Sequence, residues 1–164
     1  MTIQAGDRLP KSTFLKMNDN GPEALESDAL FAGRRVALFG LPGAFTGTCS
    51  TLHLPSFMRV APALREKGVD AIICISVNDP FVMKAWGEAT GGAAAGIEFL
   101  ADAEGQFTKD CGLDFTASQT GLIGRCLRFA AFVEDGVVTV LNFEEQHGTC
   151  VLTAGETLLE QINP

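Results

Sequence analysis

Two largely apolar runs, residues 35–41 (RVALFGL) and 69–77 (VDAIICISV), restrict the fold more than any other feature of this chain. Both are rich in strand formers and have no polar alternation, so they read as buried strands. Between them, Leu52, Phe57, Ala61 and Leu64 keep helical spacing over residues 48–67, and Gly68 supplies the stop. Pro55 and Pro62 fall inside this helix and are expected to kink or interrupt it. After the second strand, Asp79 can cap and Pro80 can occupy the first turn of a helix reaching about Thr90. A strand over residues 97–100 and a short helix over 103–111 follow. Residues 127–133 and 137–143 flank Asp135-Gly136, the signature of a tight hairpin. Thr153-x-x-Glu156 reads as a capping box opening a last helix through Ile162. The first forty residues predict an added hairpin turning at Asn18-Asp19-Asn20-Gly21 and a short helix opened by Ser27. This order predicts an α/β sandwich with a mixed sheet. At 164 residues, one domain spanning 1–164 is expected.

Composition narrows the function. Hydrophobic residues make up 46% and charged residues 20%, which excludes a disordered chain and is compatible with an apolar contact surface between copies. A net charge of −8, with no basic stripe, argues against nucleic acid as a partner. No stretch reaches the roughly 18 apolar residues of a membrane span, and residues 1–10 lack a basic segment leading into an apolar run. A cytoplasmic location is the expectation. Five cysteines, Cys49, Cys74, Cys111, Cys126 and Cys150, are an odd number without a CxxC pair, which argues against both a secreted disulfide framework and a zinc ribbon.

The stretch PGAFTGTCS, residues 42–50, lies between the first strong strand and the long helix. A cysteine in a first helical turn sits among N–H groups without intrahelical partners and near the positive end of the macrodipole, and both favour a thiolate. Because nucleophilicity falls with thiol pKa, a thiolate that attacks an O–O bond also needs donors that stabilise the departing oxygen. Thr46, three residues before Cys49, can accept from the thiol or donate to a peroxide oxygen without adding charge. Arg128 opens an apolar strand, where a fixed cation is costly to desolvate without an anionic or polar partner. Arg125 competes for that role.

Pro42-x-x-x-Thr46-x-x-Cys49 resembles the peroxiredoxin signature. With Ser50 and His53-Leu54-Pro55-x-Phe57, it is similar to the type II, or type 5, subfamily in particular. Further matches run through Lys67-Gly68-Val69-Asp70, the segment from Cys74 to Phe81, Ala101-Asp102, and Arg128-Phe129 ahead of Asp135-Gly136. The resemblance implies a thioredoxin-like fold and a peroxidase that reduces hydrogen peroxide and small alkyl hydroperoxides without metal or cofactor. It makes Cys49 the peroxidatic cysteine, Thr46 a peroxide ligand, Pro42 a shield against water and Arg128 the family's arginine. Gly47 stands where the family often has proline. Type II members also resemble one another in forming dimers through faces flanking the site, so a homodimer is implied.

Peroxide converts such a thiolate to sulfenic acid, which another thiol must capture. Gly148-Thr149-Cys150 resembles the resolving position of animal-type, atypical two-cysteine members, whereas Cys74 matches the position proposed in plant type II members. The third route is an external thiol. Recycling would fall to thioredoxin or to glutathione and glutaredoxin. Two rivals stand beside this reading: a zinc site made of Cys49, His53, His147 and Cys150, and a redox-inactive binding module of the same fold. Cys111, Cys126 and Trp86 are expected to pack.

Overall fold

A computed structural model of the chain describes residues 1–144 and 148–162. Seven strands form a mixed sheet. β1 (Thr13–Asn18) and β2 (Gly21–Glu26) are the N-terminal hairpin, and β3 (Arg35–Gly40), β4 (Ala71–Ser76) and β5 (Ile97–Ala101) are the parallel centre. β8 (Phe129–Glu134) and β9 (Val137–Phe143) form the C-terminal hairpin, joined by a turn with φ of 50° at Asp135 and 76° at Gly136. The strand order is β2-β1-β5-β4-β3-β8-β9, with β8 antiparallel to β3. The apolar runs became central strands because every residue of β4 and the last five of β3 are buried, on both faces of the sheet.

Those faces hold two cores. On one, α2 (Leu54–Glu66), α3 (Pro80–Thr90) and α5 (Gly155–Gln161) pack with Leu64, Trp86 and Leu158 over Phe39, Ile72, Cys74 and Phe132. On the other, α1 (Ser27–Phe31) and α4 (Gln106–Asp110) cover Val36, Leu38, Ile73 and Ile75 with Leu30, Phe31 and Phe107. Asp79 caps α3 as expected, its carboxylate accepting from the Val82 N–H at 2.8 Å, with Pro80 in the first turn.

Several local expectations are corrected. Ser27 does open α1, and its hydroxyl accepts the Ser12 N–H, tying the helix to the segment ahead of β1. The capping box at Thr153 does not form: α5 begins from Ala154, and the Thr153 hydroxyl bonds Glu144 while Glu156 pairs with Arg59. Pro62 does not interrupt α2, which runs through it. Arg128 lies one residue before β8 rather than within a strand. A second, two-stranded sheet, β6 (Asp114–Ala117) with β7 (Leu122–Cys126), was not foreseen from the sequence. Its residues are exposed or half-buried apart from Cys126, so no apolar run marks it.

Gly155 sets how closely α5 approaches α2. A Cβ there would lie 2.6 Å from the Ser56 carbonyl oxygen and 2.8 Å from Val60 Cγ2. Gly155→Ala should therefore push α5 outward and lower stability by about 2 kcal/mol, as measured by urea unfolding.

Candidate active site

The chain leaves β3 at Gly40 and turns sharply before the long helix. Three hydrogen bonds fix the turn: Arg125 Nη1 donates to the Pro42 carbonyl (3.1 Å), the Ala44 N–H to Asn78 Oδ1 (3.0 Å), and the Thr46 hydroxyl to the Gly43 carbonyl (2.6 Å). Between them Phe45 takes φ of 62°, a left-handed conformation costly for a bulky side chain and sustained here by bonds on either side. The Ser50 N–H donates to the Thr46 carbonyl at 3.1 Å, the first bond of the helical ladder. The N–H groups of Gly47, Thr48 and Cys49 precede it, so Cys49 sits in the first turn as the sequence implied.

That turn is wider than an α-helix. Cys49–His53 form a π-type turn, in which the Leu54 N–H reaches back five residues to the Cys49 carbonyl. Pro55 supplies the cause: it has no N–H to donate to Thr51, and its ring would crowd that carbonyl in a regular helix. The proline expected to disturb the helix thus widens the turn ahead of it. Trp86, fully buried, donates its indole N–H to Ser50 Oγ at 2.9 Å and ties this turn to α3.

Arg128 reaches the sulfur. Its Nη2 donates to Cys49 Sγ at 3.3 Å, and its Nη1 lies 3.0 Å from His53 Nδ1. A guanidinium can only donate, so Nδ1 is the acceptor and the histidine proton sits on Nε2, which donates to the Thr153 carbonyl at 3.1 Å. Cys49, His53 and Arg128 are all buried. Arg125, the competitor for the cationic role, holds the Pro42 loop instead.

The other four thiols are in different surroundings. Cys74 is fully buried in the same core as Cys49, and desolvation pushes its thiol well above the ordinary value. Burial raises Cys111 to about 12 and also raises Cys126, both in the core on the opposite face of the sheet. Cys150 is half-buried in the loop before α5, its thiol also raised by burial, with the Thr153 hydroxyl 3.7 Å from its sulfur. Thr48 connects this loop to the helix start by donating its hydroxyl to the Gly148 carbonyl at 3.0 Å.

A pocket of about 780 Å³, lined by Pro42, Thr46, Phe115, Leu127, Arg128 and Phe143 among others, opens beside this cluster. The structure thus gathers Pro42, Thr46, Cys49 and Arg128 at one place, and sets Cys150 in the adjoining loop. With its own proton committed to Gly43, Thr46 offers lone pairs to the pocket, suited to accept from a peroxide O–H. The sequence marks His53 only as part of the family motif and of the zinc rival; its bond to Arg128 and the bonds of Glu144 come from the structure. The four-residue interval from Cys49 to His53 was the available signal, because residues four apart share a helix face. For the zinc reading, both His53 nitrogens are occupied, no metal-holding group of three or more ligands is found among the described residues, and His147 lies outside them.

Comparison with known proteins bears on the whole chain. Residues 4–158 match the Redoxin family model. Peroxiredoxin-2B of Arabidopsis thaliana is 43% identical over 157 residues, covering 95% of this chain and 96% of its own. Curated relatives also include a mitochondrial protein of Arabidopsis thaliana and a chloroplastic one of Oryza sativa. Reduced Prx3 from Vibrio vulnificus, solved in complex with H2O2, superposes with a TM-score of 0.89 at 43% identity, covering 98% of this chain and 99% of that one. Peroxiredoxin 5 from Alvinella pompejana gives a TM-score of 0.83 at 28% identity, with 96% of each chain covered.

Desolvation and the Arg128 guanidinium hold the His53 imidazole well below its ordinary value. The folded protein therefore keeps the ring neutral, whereas the unfolded chain takes up a proton below about pH 6.5. Stability from this group is fully present above that pH and falls as pH drops, by about 1.4 kcal/mol per pH unit. Urea unfolding between about pH 7 and pH 5 should show this slope in the wild type and a flatter curve in His53→Gln, which keeps an acceptor for Arg128.

Proposed function

Since the chain belongs to the redoxin family, and within it to the type II peroxiredoxins, it is a thiol-dependent peroxidase with a thioredoxin-like fold, and we propose that Cys49 is its attacking sulfur. The observation carrying this assignment is the Arg128 guanidinium on the Cys49 sulfur at the edge of a pocket that Thr46 and Pro42 also line. The cysteine thiolate attacks one peroxide oxygen, the O–O bond breaks, and the second oxygen leaves as alkoxide or hydroxide and takes up a proton. Sulfur is oxidised to sulfenic acid and the peroxide is reduced to an alcohol or water. Thr46 accepts the peroxide O–H, and the remaining guanidinium N–H groups of Arg128 stabilise the departing oxygen. Pro42 keeps bulk water from the sulfur.

For the next step we favour Cys150. It is more accessible than Cys74, and its loop is bonded to the first turn of the helix through Thr48. Its thiol condenses with the sulfenic acid, giving a Cys49–Cys150 disulfide and releasing water. Local unwinding of the helix start supplies the movement, because a disulfide needs Cα atoms within about 7 Å. An external dithiol or glutathione then restores both thiols, with thioredoxin or glutaredoxin as the protein reductant.

The whole chain acts as one peroxiredoxin domain, both cores being built on the same seven-stranded sheet. A homodimer is supported by the exposed side chains of Phe45, Phe81, Val151 and Leu152, which lie on segments flanking the site and together leave apolar surface uncovered. Among the described residues no helix is long and apolar enough to cross a membrane. The cytoplasmic location is a proposal that fractionation of the source cells tests.

Cys49→Ser should abolish peroxide consumption, and Arg128→Lys, which loses the planar fork, should slow Cys49 oxidation by about a hundredfold in a stopped-flow assay. Cys150→Ser should keep the first oxidation and lose the disulfide. Peptide mapping after one equivalent of peroxide that finds Cys49 joined to Cys74 instead would reassign the resolving thiol. Sedimentation of Phe81→Glu should show a weaker dimer than the wild type.

A further inference from the structure

Five donors from one loop converge on a single carboxylate, a pocket-lining group to which the peroxide step assigns no role. Glu144, directly after β9, accepts at Oε2 from the Val151 N–H (3.0 Å), the Thr153 N–H (2.6 Å) and the Thr153 hydroxyl (2.5 Å). At Oε1 it accepts from the Thr149 hydroxyl (3.3 Å) and the Leu152 N–H (3.4 Å). A carboxylate has about four lone-pair sites and no proton to offer, so it can serve such a ring of donors where a glutamine would turn an NH2 toward some of them. The consequence falls on Thr153, which is fully buried and held at both its N–H and its hydroxyl.

The Thr153 carbonyl is the group that receives the His53 Nε2 proton, and the His53 Nδ1 lone pair is the group that receives Arg128. An unbroken chain of hydrogen bonds therefore runs from Glu144 through Thr153, His53 and Arg128 to the Cys49 sulfur. Ser56 braces the same junction, donating to the His53 carbonyl at 2.6 Å while accepting the Gly155 N–H at 2.9 Å.

We propose that Glu144 and Thr153 are positioning residues for the peroxide step: they fix the carbonyl that orients His53, and His53 holds Arg128 on the Cys49 sulfur. This rests on Cys49 being the attacking sulfur. It makes the loop that carries Cys150 part of the machinery for the first chemical step. When that loop is displaced, the Thr153 carbonyl leaves His53 and Arg128 loses its orienting partner.

The test compares two reactions of the reduced full-length protein at one pH: oxidation of Cys49 by hydrogen peroxide, and its alkylation by iodoacetamide, each followed by quenched flow and mass spectrometry. Alkylation needs a thiolate but no donor for a departing oxygen, whereas peroxide reduction needs both. Glu144→Gln and Thr153→Val should slow peroxide oxidation by about tenfold, the scale of a small misplacement of a catalytic group, and slow alkylation far less. Thr153→Ser, which restores the hydroxyl, should return the peroxide rate to wild type. Wild-type peroxide rates in Thr153→Val, an equal loss of both reactions, or no rescue by Thr153→Ser would each overturn the proposal. If Glu144→Gln does not fold, the Thr153 pair decides alone. A wild-type protein whose Cys49 shows no selective reaction with peroxide would instead remove the peroxidase reading beneath it.

Discussion

A guanidinium buried beside a thiol is the interaction on which the rest of this site depends. Taking the Arg128 charge out of water costs several kcal/mol unless its donors find partners, and here one donor meets the Cys49 sulfur and another the His53 ring. The arrangement obliges His53 to stay neutral, since a protonated ring would have no lone pair to offer and would place a second cation against the first. The charge on Arg128 thus faces the Cys49 sulfur and the pocket instead of a carboxylate among the described residues.

The sheet explains why these groups meet. β3, β4 and β5 run parallel, and the loop that leaves the end of β3 delivers Cys49 onto the start of a helix packed across the same face. β8 runs antiparallel beside β3, with Phe129 opposite Gly40, so Arg128 is set next to the point where the Pro42 loop departs. Gly40 has no side chain because the Phe129 ring occupies that space; a Cβ there would lie 2.2 Å from it. Strand register thereby brings together residues 49 and 128, far apart in the chain, and the Ser56–Gly155 contact brings up the loop behind them.

Strength is unevenly distributed around the site. The sheet and the Arg128–His53 pair are buried, while the π-type turn at Cys49–His53 is a local departure from the α-helical ladder. It is tethered by Trp86 to Ser50, by Arg128 to Cys49 and His53, and by the Thr153 carbonyl to His53, while Thr48 just ahead of it bonds Gly148. If Cys49 is to join a thiol of the loop before α5, this helix start must open and Cys49 must leave the core it is buried in.

The central strands, the order of the major elements and the two tight hairpins were legible in the chain, because continuous apolar runs and turn residues act locally. The cysteine motif was equally legible, since Pro42, Thr46 and Cys49 are close in sequence and their spacing expresses one loop and one helical turn. The β6–β7 ribbon was not, having no apolar run to reveal it. Neither was the π-type turn: Pro55 signalled a disturbance but not which side of it would yield. Sequence alone therefore determined the strands of the main sheet, the helix start and the cysteine within it. Only the tertiary structure decided which arginine meets that sulfur, which proton His53 carries and which carbonyl accepts it, because those bonds join segments seventy to a hundred residues apart through packing that no local pattern encodes.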